Sequence, residues 1–460
     1  MIQRERVQRL NYADVRRGGY VLYWMQASQR AEWNHALEHA IERANELAQP
    51  LVACFGITDA YPEATLRHYA FMLEGLRETQ RALRERGVQL VVWRRSPEEA
   101  AVELAADASL VIADRGYTRI QRRWRGHVAR QCTCPVVQVE ADAVVPIKAV
   151  SRKEEYAAAT LRPRLHRRLP EFLVPLAERR LERDSLGLAL DSLDLSDIED
   201  VLGGLDVDGS VGRQSFYVGG ASQAKARLDA FIATKLARYA ESRGDPSLGI
   251  CSDMSPYLHF GQISPLYIAL EVRRAHHVGQ EARDAFLEQL IVRRELSLNF
   301  VFHNPRYDSY RCLPDWARAT LAKHRPDPRE PVYSARQLEE ARTDDPYWNA
   351  AMREMAVTGK MANYMRMYWG KKILEWTRTP QFAFRTTLRL NNKYFLDGRD
   401  PNSFAGVAWV FGKHDRPWTE RPVFGTVRYM NANGLRRKFR IDDYVRQVGA
   451  LAGAEGLGGQ

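Results

Sequence analysis

Apolar and polar positions change rhythm about a third of the way along this chain. In the first ~145 residues, short apolar runs recur at 20–24, 51–55, 90–93, 110–113 and 136–139. Runs of that length, rich in Val, Leu and Tyr, predict buried strands. Between them, 29–48, 63–86, 97–107 and 117–131 carry apolar residues at helical spacing. The alternation predicts a doubly wound parallel sheet with helices on both faces. No G-x-G-x-x-G and no P-loop follows any of these strands, so the usual phosphate fingerprints are absent.

From about residue 222 the pattern is helical, over 222–242, 264–276, 280–300, 335–342, 346–376 and 380–391. Within it, 361–376 reads as one helix stopped by Pro380. Residues 150–180 are basic and helical in character. Residues 184–212, rich in Asp, Ser, Leu and Gly, read as a surface linker. The fold class that follows is α/β plus all-α: a sheet domain over 1–147, an interdomain segment over 148–215, a helical domain over 216–450 and a frayed tail over 451–460.

Composition narrows the chemistry. The chain has 460 residues, 45% of them hydrophobic, which allows two packed domains. There is no stretch of ~20 apolar residues and no apolar leader at the N-terminus, which leads us to expect a soluble cytoplasmic protein. Five scattered cysteines, including Cys132 and Cys134 in a lone C-x-C, read as reduced thiols. No His/Cys/carboxylate spacing suggests a metal site. The net charge of +11 points to a polyanionic partner. It is concentrated at 421–440, where Arg421, Arg428, Arg436, Arg437, Lys438 and Arg440 occur without an acid and are interleaved with Phe424, Tyr429 and Phe439. Such a run is either a solvated basic face or a nucleic-acid surface, and the aromatics favour the second reading.

Candidate redox chemistry lies in MANYMRMYWGKKILEW, 361–376. Trp369 and Trp376 fall on one helix face, roughly 10 Å apart at ~1.5 Å per residue, and Trp348 lies upstream. Read alone, such tryptophans are core packing; spaced this way they also suit a ladder of oxidisable rings. The segment CSDMSPYLHFGQIS, 251–264, has the form of a serine N-cap at Ser255 followed by proline, a natural anion-binding helix start.

Taken together, these strings resemble a known family. The segments 251–264, FLEQLIVRRELSLNF (286–300), DGRDPN (397–402) and GKHDRPWTERPVFGTVRYMN (412–431), with YWM at 23–25 and NHAL at 34–37, are similar to those of class II cyclobutane pyrimidine dimer photolyases. The match runs in order from about residue 18 to 445. It implies a Rossmann-like antenna domain followed by a helical FAD-binding domain, and a lyase that splits pyrimidine dimers in DNA with blue light. By resemblance, Tyr239, Ser252, Asp253, Met254, Ser255, Gly398 and Arg399 contact FAD, and Arg366 and Asp397 flank its ring. Asn391 faces flavin N5. Trp348, Trp369 and Trp376 carry electrons, and Gln289, Met367 and Trp409 contact the dimer. Arg421, Arg428, Arg436, Arg437 and Lys438 are candidates for the DNA backbone. The family also implies a second chromophore, an 8-hydroxy-deazaflavin or a folate, and no obligate protein partner.

Four departures bear on the substrate side. Gln289 stands where many relatives have glutamate, and an amide donates a hydrogen bond but no proton. Leu298 replaces an aspartate, Thr426 replaces a lysine, and the stretch 409–414 is one residue short. Two rival readings stay open at this stage: a cryptochrome-like flavin photoreceptor, and a lesion-binding flavoprotein without catalysis.

Overall fold

The computed structural model describes residues 2–454. Its sheet has six strands: β1 (Val7–Arg9), β2 (Tyr20–Trp24), β3 (Leu51–Gly56), β4 (Gln89–Trp93), β5 (Ala108–Asp114) and β6 (Val136–Val139). The spatial order is β1-β6-β5-β2-β3-β4. Strands β2 to β6 pair in parallel. β1 was not predicted; it adds to β6 antiparallel and makes the sheet mixed. Every residue of β2, β3 and β5 is buried, as a sheet covered on both faces requires.

The helices α1 (His35–Glu46), α2 (Leu66–Glu85), α3 (Pro97–Ala105) and α4 (Arg119–Gln131) occupy the predicted intervals. α1 starts six residues later than its pattern suggested. Asn34 caps it, its Oδ1 accepting from Ala36 and Leu37 N–H at 3.1 and 3.2 Å. The residues before the cap are held as a loop by Asp114, which accepts the amides of Gln26, Ala27 and Ser28.

The chain order reverses between β2 and β5, so a crevice opens at the carboxyl ends of those two strands, the usual ligand position in such sheets.

Residues 184–212 lie along the outer edge of β4. Gln89 N–H donates to Ser185 Oγ at 2.8 Å, Val92 N–H to Ser192 Oγ at 2.9 Å, and Leu193 N–H to the Val92 carbonyl at 2.8 Å. Leu195, Ile198, Val201, Leu202 and Leu205 join the apolar core beneath. The segment is therefore packed against the sheet domain rather than free at its surface.

The helical half has two apolar clusters, one around Tyr257, Phe286 and Leu290 and one that holds Trp348, Trp369 and Trp376. The predicted 346–376 helix is two helices, Pro346–Thr358 and Asn363–Trp376. Gly359, at φ +74°, ends the first in a left-handed turn, a conformation that glycine adopts without strain. The helix Pro401–Val410 was not predicted. The tail reading is corrected as well: the helix Ile441–Ala454 takes in 451–454, while 455–460 lie outside the described residues. Arg67 of α2 binds the halves together, donating to the carbonyls of Met355, Ala356 and Tyr394.

Candidate functional site

A cavity with about 2500 Å³ of unfilled space, counting its mouth, opens into the helical half. Even without its mouth it is at the upper end of small-ligand pockets and can take a cofactor-sized molecule. Its wall includes Tyr239, Ser252, Asp253, Met254, Ser255, Gln289, Arg366, Met367, Asp397, Trp409 and Lys438, all expected from sequence.

One side comes from 251–256. Asp253 sits at φ +58° and pairs with Lys360 at 2.5 Å. Burial alone would lower the Lys360 pKa, but Asp253 and Cys251 outweigh it and hold the ammonium above its ordinary value. Ser255 is the first residue of the helix Ser255–His259 and Met254 precedes it, so the N-cap reading of Ser255 is corrected. Lys360 is a cavity cation that no sequence signal marked.

On the facing helix, Arg366 Nη2 meets Asp397 Oδ1 at 3.0 Å, with its guanidinium 3.7 Å from the Phe395 ring centre. Asn391, Gly398 and Arg399 do not line this cavity. Asn391 is buried behind it and donates to Ser403 Oγ at 2.9 Å, and Ser403 Oγ donates in turn to the Asp397 carbonyl at 2.8 Å. Ser403 is thus a positioning residue absent from the sequence reading. At Gly398 a Cβ would lie 2.7 Å from the Asn392 carbonyl oxygen, so the close turn there requires glycine. Arg399 points the other way. Its Nη1 donates to the Asn392 carbonyl at 2.8 Å and lies 3.0 Å from His68 Nε2.

Gln289 lies in a π-helical stretch, Glu288–Arg293, that joins Gln280–Leu287 to Arg294–His303. Glu288 is turned away into an ion pair with Arg162 at 2.7 Å. Although burial pushes its pKa up, Arg162 and Arg293 hold it below its ordinary value, so this neighbour stays ionised and cannot stand in as an acid.

The shorter 409–414 stretch closes as a tight turn. Gly412 takes φ +105°, and Lys413 N–H bonds the Ala408 carbonyl. Trp409 and His414 both still reach the cavity. Leu298 sits in the apolar cluster with Phe300 and Trp348, surroundings that suit leucine. Behind Trp409, the Lys371 ammonium is fully buried, bonds the Val410 carbonyl and lies 5.3 Å from the indole. Burial lowers its pKa to about 7.

The tryptophans form a chain that crosses between helices. Trp348 stacks on Trp369 at 6.5 Å and 12°, and meets Trp376 edge-on at 5.7 Å. Its indole N–H donates to the Trp369 carbonyl at 2.9 Å. The ladder along one helix expected for Trp369 and Trp376 is therefore bridged by Trp348.

The basic run divides. Arg428 lies 4.2 Å from the Trp418 ring and pairs with Asp415, while Arg436 donates to the Tyr347 hydroxyl at 2.8 Å. Arg421 and Arg437 are exposed, and Lys438 is at the cavity wall.

A second cavity, with about 740 Å³ of space counting its mouth, lies at the carboxyl ends of β2 and β3, beside α4. Met25 to Ala27, Phe55 to Thr58, Tyr61, Trp124 and Arg399 line it.

The DNA photolyase family model matches residues 21–181. A deoxyribodipyrimidine photo-lyase of Methanothermobacter thermautotrophicus is 52% identical over 98% of this chain and 99% of its own. The chain belongs to the DNA photolyase family. The Arabidopsis thaliana deoxyribodipyrimidine photo-lyase is 37% identical, covering 94% of this chain and 89% of its own. Among solved structures, a class III photolyase of Agrobacterium tumefaciens superposes with a TM-score of 0.74 at 20% identity, covering 94% of this chain and 87% of that one. An archaeal photolyase of Sulfolobus tokodaii, solved with two FAD molecules, gives 0.68 at 16% identity, covering 93% and 89%. Both carry the photolyase fold. Among the described residues no helix is long and apolar enough to cross a membrane, and no His/Cys/carboxylate group could hold a metal.

The donor set suits the FAD that the photolyase family implies. Ser252, Ser255, Arg243 and Lys360 supply hydroxyls and cations for a diphosphate, and the Arg366–Asp397 pair supplies a polar flank for a ring.

Proposed function

We propose that this chain is a light-dependent DNA repair enzyme, a deoxyribodipyrimidine photo-lyase of the class II kind. The observation that carries the reading is that one chamber brings Gln289, Met367 and Trp409 together with Arg366 and Asp397, with three touching tryptophans behind it. FAD, when bound, supplies the light-driven electron that opens the cyclobutane ring.

The chain's own residues do the rest. Arg366 places a positive charge at the flank of the ring site and favours an anionic occupant, and Asp397 orients it and offsets the charge. Asn391, behind the cavity wall, braces Ser403 and through it the Asp397 backbone. Trp369, Trp348 and Trp376 form a buried electron conduit, in that spatial order. Trp409 and Met367 give a flipped-out dimer an apolar surface, and a damaged pair costs less to extrude than an intact one. Gln289 donates a hydrogen bond to the dimer.

Other parts of the reading concern the partners and the second chromophore. Arg421, Arg437 and Lys438 would meet DNA phosphates. The cavity at the ends of β2 and β3, where the Tyr61 and Trp124 rings meet edge-on, would take a flat antenna chromophore, an 8-hydroxy-deazaflavin or a folate.

The test is repair of a thymine-dimer oligonucleotide under blue light against a dark control. Recovery of thymine absorbance in the light alone supports the lyase. Dimers that bind but persist in light would leave a lesion-binding flavoprotein.

A further inference from the structure

A third concavity lies on the sheet domain, away from both cavities described above. Arg115, Arg122, Arg125, Arg130 and Lys148 line it around Phe302, and none of its lining residues is acidic. Arg115 and Arg125 are each 5% exposed, so two guanidiniums form a buried floor while the other three cations stand at an exposed rim. Three of the cations crowd one ring: Arg115, Arg122 and Lys148 lie 4.8, 5.3 and 5.9 Å from the centre of Phe302.

The counter-charge is small. Glu140 pairs with Arg115 at 2.9 Å from beneath, and Arg125 is held by neutral acceptors, Gln138 Oε1 at 3.0 Å and the Gly116 carbonyl at 2.6 Å. Like charge adds to burial in shifting the groups themselves. Burial and then Arg115 depress Arg125 to about 9, and burial, Arg115 and Arg122 lower Lys148. An anion seated among these groups would relieve that repulsion.

The basic segment that begins at Lys148 leads from the concavity towards the wall of the lesion cavity, although the two share no lining residue. Lys148 is shared with a neighbouring hollow that carries Arg152, Lys153 and Arg164. The helix Arg294–His303 stands between the two sites, with Ser297 at the lesion cavity and Phe302 at the concavity on faces about 140° apart. His414, at the cavity wall, bonds the carbonyl of Tyr156 in the same basic segment at 2.7 Å.

We propose that this concavity is a phosphate-binding site, and that its occupant is the backbone of the DNA strand leading away from the lesion. The identity of the occupant rests on the photo-lyase reading; the phosphate chemistry does not. A track of cations beside the chamber would hold flanking DNA without reading its sequence, as backbone contacts do.

The variant Arg122→Gln/Arg130→Gln/Lys148→Gln removes the three exposed cations and leaves the buried floor intact. Each lost phosphate contact flattens the salt dependence of duplex binding by about 0.9 in log–log slope, so the triple variant should lose roughly 2 to 3. Light-driven repair of a thymine-dimer dinucleotide, which is too short to reach the concavity, should be unchanged. That arm also separates the two readings, since failure of the unsubstituted protein on the dinucleotide would count against the lyase and not against the site. Pyrophosphate binding, measured by calorimetry on both proteins, tests the source of the phosphate. Pyrophosphate affinity lost in the variant with an unaltered duplex slope would keep the phosphate site and overturn DNA as its occupant. An unaltered slope with no pyrophosphate binding in either protein would overturn the proposal.

Discussion

Lys371 → Met should separate the titration of one buried ammonium from the rest of the protein. The lysine is fully buried, its pKa lowered from 10.5 to about 7. At about 1.36 kcal/mol per unit, holding it charged costs the folded state about 5 kcal/mol. Below pH 7 both folded and unfolded chains keep the proton, so the cost is present in full and does not vary with pH. Between pH 7 and 10.5 the unfolded chain binds the proton and the folded chain does not, so stability of the unsubstituted protein rises with pH. By pH 9 the recovery is about 3 kcal/mol. Methionine has nearly the same length and no charge, but leaves the Val410 carbonyl without its donor, at a cost of about 1–3 kcal/mol. The variant should therefore be the more stable protein at pH 6.5, by about 2–4 kcal/mol, and near parity at pH 9. Urea unfolding of both FAD-loaded proteins across this range measures the difference. A stability gap constant from pH 6.5 to 9 would refute the argument, because it would mean that Lys371 does not change protonation there.

Three other outcomes follow from the same geometry. Trp348→Phe lengthens the path between Trp369 and Trp376 from hops of 6.5 and 5.7 Å to roughly 10 Å along their helix. Photoreduction of bound FAD should fall sharply, while protein reduced with dithionite still repairs; equal photoreduction in the two proteins would remove Trp348 from the conduit. Gln289→Glu introduces a group that can give a proton as well as a hydrogen bond, and should raise the number of dimers split per absorbed photon; an unchanged or lower yield would count against a dimer contact at this position. Glu295→Gln keeps an acceptor for the Val144 and Val145 amides and removes a carboxyl that burial raises to about 8. The unfolded chain releases that proton near pH 4.5 and the folded chain only near 8, so the unsubstituted protein loses stability over this window. The variant should gain about 3 kcal/mol at pH 7 and almost nothing at pH 4.5, read by urea midpoints.

The fold was legible where packing imposes a period. β2 and β6 fall at the residues that short continuous apolar runs predict, because strands buried on both faces admit little else. β1 escaped because three residues of mixed polarity, Val7–Arg9, become a strand only through their partner β6. The break at 359 escaped because the apolar pattern continues through it, and a left-handed glycine leaves little trace in hydropathy. At the site, Ser252 to Ser255, Arg366 and Asp397, named from short local motifs, line one cavity. Contacts between distant segments could not be read that way. The stacking of Trp348 on Trp369, the pairing of Lys360 with Asp253 and the burial of Lys371 beneath Trp409 all depend on how helices cross. Arg399 shows the opposite failure. Its motif neighbours belong to the main cavity, but its own backbone, at φ +67°, turns the side chain towards His68 and the second cavity.

The segment that runs beside β4 has a consequence for handling the protein. An outermost strand with bare amides and carbonyls is a template on which another molecule can build, the first step towards aggregation. Here Ser185, Ser192 and Leu193 occupy those positions on β4, and the leucines and isoleucine that follow are anchored in the core. The stretch acts as a guard for the sheet. A protease cut within 184–195 would leave the two halves joined through Arg67 yet expose β4, and the cut protein should precipitate as it is concentrated.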